Sequence, residues 1–355
     1  MKLSLFRIAL FVVAAACAPA ALAAHSAPLR SPWDDLHIAL TDAAYTCPAP
    51  PPLAKSLEAH SYYTDAHHSV VDPKLFAQER EATAAPTHLG QWTTEAADKF
   101  LETGSRAAAS CVYTLLAAAA QAKAWTDTMP TNQGSYEQQW LLAATAVAYL
   151  KVRNTGVGSP DREKDIRKWF NSMANRVTDY VDSKKPRPGS DAWNNHRYWA
   201  GLAVCASAIA IDDHSDLEWG IASYKAGVDQ IQPDGVLPLE MARAGRALHY
   251  HLYALAPLVL IAELAEANSI DLYSYDNGAI HRLAKLCIAG LRDPGIFVKA
   301  TGVAQDDVTG PPYSGADIGW AVPYNKRFPD PQLTAWIAQA GYTRFWQWGG
   351  LPPGA

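Results

Sequence analysis

Apolar residues recur at intervals of three and four along most of the chain, which is the spacing of one buried helix face. Strict alternation of apolar and polar residues, the pattern of a half-buried strand, is hard to find. The pattern therefore predicts an all-α protein. The predicted helices are 33–44, 74–82, 94–126, 135–153, 160–182, 195–211, 215–231, 241–267, 276–291 and 331–340.

Several predicted helices begin with a residue that can cap them. Ser159 and Asp330 each precede a proline, and Ser135 is followed three residues later by Gln138. Such side chains accept hydrogen bonds from amides of the first turn. Because the connections are short, successive helices should form antiparallel hairpins. Hairpins of about 40 residues each predict a closed or nearly closed ring around a central cleft.

Composition and charge narrow the class of protein. The chain has 355 residues, of which 49% are hydrophobic and 18% charged, and a formal net charge of −5. These values exclude long disordered stretches and collagen, and a diffuse nucleic-acid binder would be basic. We therefore expect no nucleic-acid partner, and a polyanion would have to meet a local cluster of Arg and Lys. No shift in composition marks a second domain.

The first 24 residues have the layout of a secretory signal peptide. Lys2 and Arg7 precede the apolar run 8–16, and small residues end the segment at 21–23. We expect cleavage there, a periplasmic or secreted protein, and a single domain spanning 25–355. No later stretch reaches about 18 uninterrupted apolar residues, so we expect no membrane partner for the mature chain.

Four cysteines remain after the leader. Cys47 lies in a Pro-rich loop and Cys111 in a predicted helix, which suits a disulfide that ties the N-terminal arm to the body. Cys205 and Cys287 lie on apolar helix faces, where we expect buried thiols. No cysteine pair has the spacing of a metal site.

Two polar segments have the residue types of a catalytic site. In the first, Asn194 or Asn195 can cap a helix and leave His196 in its first turn. The positive end of the helix dipole disfavours imidazolium there, so a neutral ring could accept a proton or donate a hydrogen bond. The alternative is a pair of capping asparagines beside a packed histidine.

The second segment runs from Glu240 to Tyr253. On one continuous helix, Arg243 and Tyr250 are seven residues apart and point the same way, with Arg246 beside them. This arrangement predicts a polar and aromatic line with a cation at one end. The alternative is a solvent-facing stripe with Glu240 and Arg243 as an ion pair.

A further cluster of polar residues lies in a loop. His60, Asp65, His67 and His68 could hold a metal, but they lack the i,i+4 spacing or the cysteine partners of a metal site. Gly-rich phosphate loops and nucleophile elbows are also missing from the sequence. We therefore expect neither a metal nor a cofactor.

Two runs resemble the bacterial alginate lyases of polysaccharide lyase family 5. They are Asn194-Asn195-His196 with Tyr198-Trp199, and Arg246-Ala-Leu-x-Tyr250-His251-x-Tyr253 with Pro257. The intervals from His196 to Arg243 and to Tyr250 also match that family. The resemblance implies an incomplete α/α toroid, a periplasmic location and β-elimination of mannuronate-rich alginate without an obligatory metal.

Two departures from the family bear on the substrate. Ser61-Tyr62-Tyr63 replaces a Ser-Lys-Tyr stretch in the lid region, which we place at 53–70, and Gln138 and Gln139 replace a basic pair before Trp140. Both changes remove cations. They predict a broader range that includes glucuronate polymers and hyaluronan.

Elimination requires removal of the C5 proton of a uronate and protonation of the leaving oxygen O4. Asn195 and Arg243 are predicted to neutralise the substrate carboxylate. Tyr250 is predicted to act as base and then as acid, with His196 assisting, and the rival assignment makes His196 the base. The remaining predicted substrate-binding residues are aromatic or basic, namely Trp199, Arg246, His249, Tyr253, Arg197, Tyr62 and Tyr63.

Two other functions remain open. A glycoside hydrolase would need two carboxylates, for which Asp191 and Glu240 are the pair near the motifs. A non-catalytic periplasmic glycan-binding protein would keep the arginines and aromatic residues. In each case the partner is an anionic polysaccharide, and we expect a monomer.

Overall fold

The computed structural model describes residues 27–184, 190, 192–306, 310–341 and 343–355. Within these residues the chain is helical, and extended segments meet only at three isolated bridges. The prediction of an all-α protein is confirmed. The predicted signal peptide lies outside the described residues.

The described residues form fourteen α-helices. In chain order they are α1 (Pro73–Ala82), α2 (Ala84–Thr103), α3 (Arg106–Ala122), α4 (Asn132–Val152), α5 (Pro160–Ser183), α6 (Asn195–Ile211), α7 (His214–Val228), α8 (Pro238–Met241), α9 (Ala247–Glu266), α10 (Tyr275–Arg292), α11 (Gly295–Thr301), α12 (Gly315–Ile318), α13 (Ala321–Arg327) and α14 (Pro331–Ala340). Two 3-10 turns, Ala244–Arg246 and Trp346–Trp348, lie before α9 and near the C-terminus.

The long helices are arranged in an inner and an outer row. Helices α2, α4, α6 and α9 pack in that order on one another, while α3, α5, α7 and α10 pack outside them. Helices α4, α6 and α9 are buried on nearly all sides, as helices inside a ring must be, whereas the outer helices bury one face. This alternation gives the predicted ring of helix pairs.

Helix α9 belongs to the apolar centre of this ring. The stretch Ala244–Glu266 is long and apolar enough to cross a membrane by composition, but 89% of its most apolar window is buried inside the protein. Its apolar character is therefore accounted for by packing against α6 and α10.

The N-terminal arm departs from the predicted helix 33–44. Asp34 pairs with Arg153 at the C-terminal end of α4, and Thr41 pairs with Ser105 in a backbone bridge. The arm therefore pairs its backbone groups and charged side chains with the body of the protein, and it does not form a helix. Cys47 and Cys111, the predicted disulfide pair, are bonded, with 5.4 Å between their Cα atoms.

A second difference concerns the predicted helix 94–126. Gly104 adopts a left-handed conformation with φ of 70°, which ends α2, and the Ser105 side chain then caps α3. A residue with a side chain is strained at that φ, so the glycine determines where the long apolar segment folds back. The helices α11, α12 and α13 were not predicted because they are too short to show a period.

The predicted caps are correct in two of three cases. The side chains of Ser159 and Asp330 accept hydrogen bonds from first-turn amides of α5 and α14. The prediction for Ser135 is wrong. Helix α4 begins one turn earlier, at Asn132, and the hydroxyl of Thr131 caps it.

The C-terminal tail is tied to the ring by a buried charge cluster. Lys151 Nζ lies 2.6 Å from Asp98 Oδ1, both side chains are fully buried, and Lys151 also donates to the carbonyl of Gly349. The backbone N–H of Leu351 donates to Asp98, and Arg344 Nε lies 3.0 Å from the same carboxylate. One carboxylate thus joins α2, α4 and the tail.

We expect Asp98→Asn to lower the free energy of unfolding by about 3–5 kcal/mol, because Lys151 is then buried without its counter-charge. Urea unfolding of the wild type and the variant measures this loss. The control is Glu102→Gln, which removes a half-exposed partner of Arg344 and should cost less than about 1 kcal/mol. Equal losses in the two variants would contradict the prediction.

His251 connects α9 to the segment before it. Its Nε2 accepts a hydrogen bond of 3.1 Å from the N–H of Leu237, and its Nδ1–H donates to the carbonyl of Ala247 over 2.7 Å. Burial lowers the pKa of His251 to about 4. The folded protein therefore holds this ring neutral at pH values where the unfolded chain protonates it.

This difference makes stability depend on pH. The contribution of His251 is complete above the unfolded pKa of about 6.5 and is lost as the pH falls toward 4. Between pH 7 and pH 5 we expect this residue to account for a loss of about 2 kcal/mol. Urea unfolding of the wild type and of His251→Gln at both pH values gives the difference, and an equal loss in the variant would rule out His251 as its source.

Candidate active site

The ring encloses one large cleft of about 840 Å³, a size that suits an oligosaccharide segment. Its walls come from the N-terminal arm, α1, the start of α4, the start of α6, the segment 239–253 and the tail residues 345–347. Both polar segments singled out in the sequence reach this cleft. His196, Arg243 and Tyr250 all line it.

A buried carboxylate holds the two segments together. Glu240 accepts hydrogen bonds from the backbone N–H of Asn195 over 2.9 Å and from its Nδ2 at 3.1 and 3.0 Å. Burial raises the pKa of Glu240, and the nearby Arg243 opposes that rise. Glu240 therefore fixes the start of α6 against the segment that carries Arg243.

This contact changes the interpretation of Asn195. The residue is fully buried, and the side-chain nitrogen that was predicted to neutralise the substrate carboxylate donates to Glu240 instead. Asn194, whose side chain accepts from the N–H of His196, is the helix cap. Asn195 is therefore a positioning residue in this structure.

Arg243 does not lie on the same helix as Tyr250, so the predicted continuous helix 241–267 is wrong at its start. Ala244 has φ of 50°, which breaks the helix between α8 and the 3-10 turn that precedes α9. The chain nevertheless folds back so that the Arg243 guanidinium carbon lies 3.4 Å from the centre of the Tyr250 ring. The predicted proximity is present, but a turn produces it.

Tyr250 is the buried centre of the cleft, with 7% of its surface exposed. Its hydroxyl oxygen lies 2.7 Å from that of Tyr63, and the two share a hydrogen bond. Burial raises the pKa of Tyr250, and Arg243 opposes this rise. The resting side chain is therefore a phenol with a cation against its ring.

His196 faces the same cleft from the first turn of α6. Its ring stacks on Tyr136, with centroids 3.6 Å apart and planes 15° from parallel. Tyr136 and Trp140, one helical turn apart on α4, both line the cleft and were not identified from the sequence. Their i,i+4 spacing at the polar start of a helix that continues as an apolar run was the available signal.

The arm forms a lid that is closed over Tyr250. Besides the bond from Tyr63, His67 Nδ1–H donates to the carbonyl of Ala242 over 3.0 Å, and Arg243 donates to the carbonyl of His68 over 3.0 Å. The predicted lid segment is thus fixed by three hydrogen bonds to the segment 242–250. Tyr62, like Tyr63, lines the cleft.

Three more predicted substrate-binding residues line the cleft. Tyr253 stacks with His249 at 5.9 Å between centroids and donates to Gln347 over 3.3 Å. The Arg246 guanidinium lies 5.3 Å from the centre of the Tyr63 ring. The cleft wall formed by Arg243, Arg246 and His249 is therefore basic and aromatic.

Two predictions of substrate contact are wrong. Trp199 is fully buried below Tyr253, with ring centroids 4.8 Å apart, because one turn along α6 leads away from the cleft into the core. Arg197 is turned to the outside of the ring, where its guanidinium lies 5.4 Å from the Trp219 ring. Neither residue lines the cleft.

The substitution of a basic pair by glutamines does not affect the cleft either. Gln138 Nε2 donates to the carbonyl of Trp125 over 2.6 Å, and the Gln139 side chain is fully buried. Both residues point away from the cleft lining. The argument that these positions lose cations toward a uronate chain is therefore wrong.

The described residues contain neither the pair of carboxylates that a glycoside hydrolase needs near the motifs nor a set of metal ligands. Asp191 lies outside the described residues, and its proposed partner Glu240 is bound to Asn195. Within the part of the chain that the structure describes, no group of three or more His, Cys, Asp or Glu side chains is arranged to hold a metal ion.

Comparison with known proteins identifies the family of the chain. Residues 56–297 match the alginate lyase family. A polysaccharide lyase of Stenotrophomonas maltophilia (strain K279a) is 41% identical over 308 residues, which covers 86% of this chain and 89% of the relative. An alginate lyase of Pseudomonas fluorescens (strain SBW25) is 33% identical, covering 79% of this chain and 77% of its own.

Solved structures show the same architecture. Alginate lyase A1-III from Sphingomonas species A1 superimposes with a TM-score of 0.72 at 24% identity, covering 92% of this chain and 90% of that one. A variant of A1-III complexed with a tetrasaccharide gives 0.75 over 87% and 86%. This likeness shows the α/α toroid. The family match and the identity to these relatives show that the chain belongs to the alginate lyase family and is a polysaccharide lyase.

Proposed function

We propose that this protein cleaves 4-linked uronate polymers by β-elimination and leaves an unsaturated uronate at the new non-reducing end. Alginate is the leading substrate, as the names of the relatives suggest, and the resemblance of the two motifs points to its mannuronate-rich form, with glucuronate polymers including hyaluronan as further substrates. The observation that carries the proposal is the Tyr250 phenol in the cleft with the Arg243 guanidinium 3.4 Å from its ring centre.

The first requirement of the chemistry is an acidic C5 proton. As that proton leaves, negative charge develops on the adjacent carboxylate and must be stabilised. Arg243 is the proposed partner of the carboxylate, and its Nε has no hydrogen-bond partner among the described residues. Glu240 and Asn195 hold the backbone around it, so the cation is in place before the substrate arrives.

The second requirement is a group that reaches both C5 and O4. In mannuronate and glucuronate both positions lie on one face of the ring, so Tyr250 can serve in turn as base and acid. Because burial raises its pKa, Tyr250 rests as a phenol, ready to protonate O4. To act as base it must first lose its proton, for which we assign His196 as acceptor and Arg243 as the charge that stabilises the phenolate.

We further propose that the mature protein is a single exported domain, 25–355, that acts as a monomer in the periplasm or outside the cell. The bond between Cys47 and Cys111 supports export, because structural disulfides form in oxidising compartments.

The test is a panel of pure polymers: polymannuronate, polyglucuronate, hyaluronan and polyguluronate. A β-eliminating lyase raises ultraviolet absorbance through the new C4–C5 double bond, and we expect this on polymannuronate at least. New reducing ends without absorbance would indicate hydrolysis, and binding without either signal would indicate a carrier. Both results would contradict the proposal.

We expect Tyr250→Phe to lower the elimination rate at least about 100-fold while polymer binding is retained, because only the proton-carrying hydroxyl is lost. Absorbance assays and binding titrations measure the two effects. Tyr113→Phe is the matched control, since it removes another buried phenol, bonded to Glu163 outside the cleft, and should keep the wild-type rate. Wild-type turnover by Tyr250→Phe would remove the tyrosine from the mechanism.

A further inference from the structure

One face of the His196 ring is covered by an aromatic ring that has no part in the mechanism proposed above. The ring centroids of Tyr136 and His196 lie 3.6 Å apart, with the two planes 15° from parallel. His196 is half-buried, and Tyr136 is 9% exposed. The contact is therefore face to face, and it leaves the edge of the imidazole, which carries both ring nitrogens, to meet other groups.

Tyr136 is held in place by its own packing. Its ring meets Tyr180 of α5 edge-on, with centroids 6.2 Å apart and planes at 80°. The start of α4 is fixed by Thr131, whose hydroxyl caps the helix and also donates to the carbonyl of Ala59 over 2.6 Å. Tyr136 is therefore a fixed surface for His196, and the imidazole is in position before a substrate binds.

The proposed mechanism places a positive charge on His196 for a whole catalytic cycle. Tyr250 Oη gives its proton to a ring nitrogen of His196, and the phenolate then removes the C5 proton. The electron pair of the C5–H bond forms the C4–C5 double bond as the C4–O4 bond breaks, and the regenerated phenol protonates O4. The imidazolium keeps its proton throughout, so a group that stabilises its charge favours the phenolate that starts the reaction.

The position of His196 on its helix opposes that charge. The residue belongs to the first turn of α6, where the positive end of the helix dipole disfavours an imidazolium. The face of a phenol ring has the opposite effect, because its π electrons present a partial negative charge to a cation lying over it. The separation of 3.6 Å is well within the distance of about 6 Å over which this attraction acts.

We propose that Tyr136 is a positioning residue whose ring holds the imidazole of His196 and stabilises the positive charge that it acquires from Tyr250. This inference rests on the proposed lyase mechanism. A leucine in place of Tyr136 would occupy the same part of the wall but would offer no negative face to the proton acceptor.

Other charged and titratable groups belong to the elements around the start of α6. Those that share the cleft wall with His196 are Glu137 on α4 and Arg243, Arg246, His249 and Tyr250 on the segment 243–250, while Glu240 is bound to Asn195. None of them is changed by a substitution of Tyr136. A difference between variants of Tyr136 therefore measures the effect of its ring.

The first test is a titration of the free enzyme. The proton–carbon NMR signal of the His196 Cε1–H group, assigned with His196→Gln, gives the midpoint of its protonation. We expect Tyr136→Leu to lower this midpoint by about 0.5–1 pH unit, because the charged form of His196 loses its aromatic partner. Tyr136→Phe keeps a ring in the stack and should change the midpoint by less than about 0.3 unit.

The second test is the rate of elimination at neutral pH. Tyr136→Leu should lower kcat about 3- to 10-fold and change KM by less than about twofold, and Tyr136→Phe should keep kcat within about twofold. The matched control is Trp140→Leu, which removes an aromatic residue of the same cleft wall whose ring lies 6.5 Å from that of His196 and is tilted by 34°. It should leave the midpoint within about 0.3 unit.

A fluorinated ring tests the electrostatic effect with little change of shape. Pentafluorophenylalanine at position 136 keeps an aromatic ring in the stack, but its fluorine atoms withdraw electrons from the face. We therefore expect the midpoint of His196 to fall as it does in Tyr136→Leu. This comparison decides the question also where Tyr136→Leu fails to fold.

An unchanged midpoint in the fluorinated protein and in Tyr136→Leu would overturn this inference alone. An equal shift in Trp140→Leu would also overturn it, because a general change of the cleft wall would then account for the effect. A shifted midpoint with the wild-type kcat in Tyr136→Leu would overturn the role in catalysis. A wild type that is inactive on every polymer would overturn the lyase proposal, and the titration would still decide whether the ring stabilises the imidazolium.

Discussion

The candidate site depends on one buried contact, the acceptance by Glu240 of hydrogen bonds from Asn195. More than forty residues of chain separate the histidine from the arginine and the tyrosine, and nothing local brings them together. A carboxylate taken out of water must be matched by donors or by positive charge. The first amide of α6 and the Asn195 side chain donate to Glu240, and the positive charge of the nearby Arg243 acts on the same carboxyl. Because these partners come from both segments, satisfying the carboxylate also assembles the site.

The ring provides the rigid frame around that contact. Three of its inner helices, α4, α6 and α9, are buried on nearly all sides, while the tail is held by the Asp98–Lys151 cluster and contributes Phe345 and Gln347 to the cleft. Gln347 in turn accepts a hydrogen bond from Tyr253. The buried charge cluster therefore holds the tail whose residues 345–347 line the cleft, so protein stability and the shape of the cleft are linked through the tail.

The sequence predicted the parts of the fold that follow from periodicity and missed those that follow from tertiary contacts. Helix α6 was predicted at its observed bounds, since its apolar period and capping asparagine are local signals. The arm was predicted as a helix because its pairing with Arg153 and Ser105 is not visible in the sequence. In the site, residue type identified Tyr250 and Arg243, but burial of Trp199 depends on the direction of its helix, which periodicity does not give.

The hydrogen bond between Tyr63 and Tyr250 has a consequence for how a catalytic cycle starts and stops. In the structure the two hydroxyls share one hydrogen bond, so the oxygen that the proposed mechanism uses is already engaged with Tyr63 before a substrate arrives. Under the proposed mechanism, an incoming glycan replaces the Tyr63 hydroxyl with one of its own oxygens, and release of the product lets the Tyr63–Tyr250 bond form again. Substrate binding and product release are thus the forward and reverse directions of one exchange of hydrogen-bond partners at Tyr250.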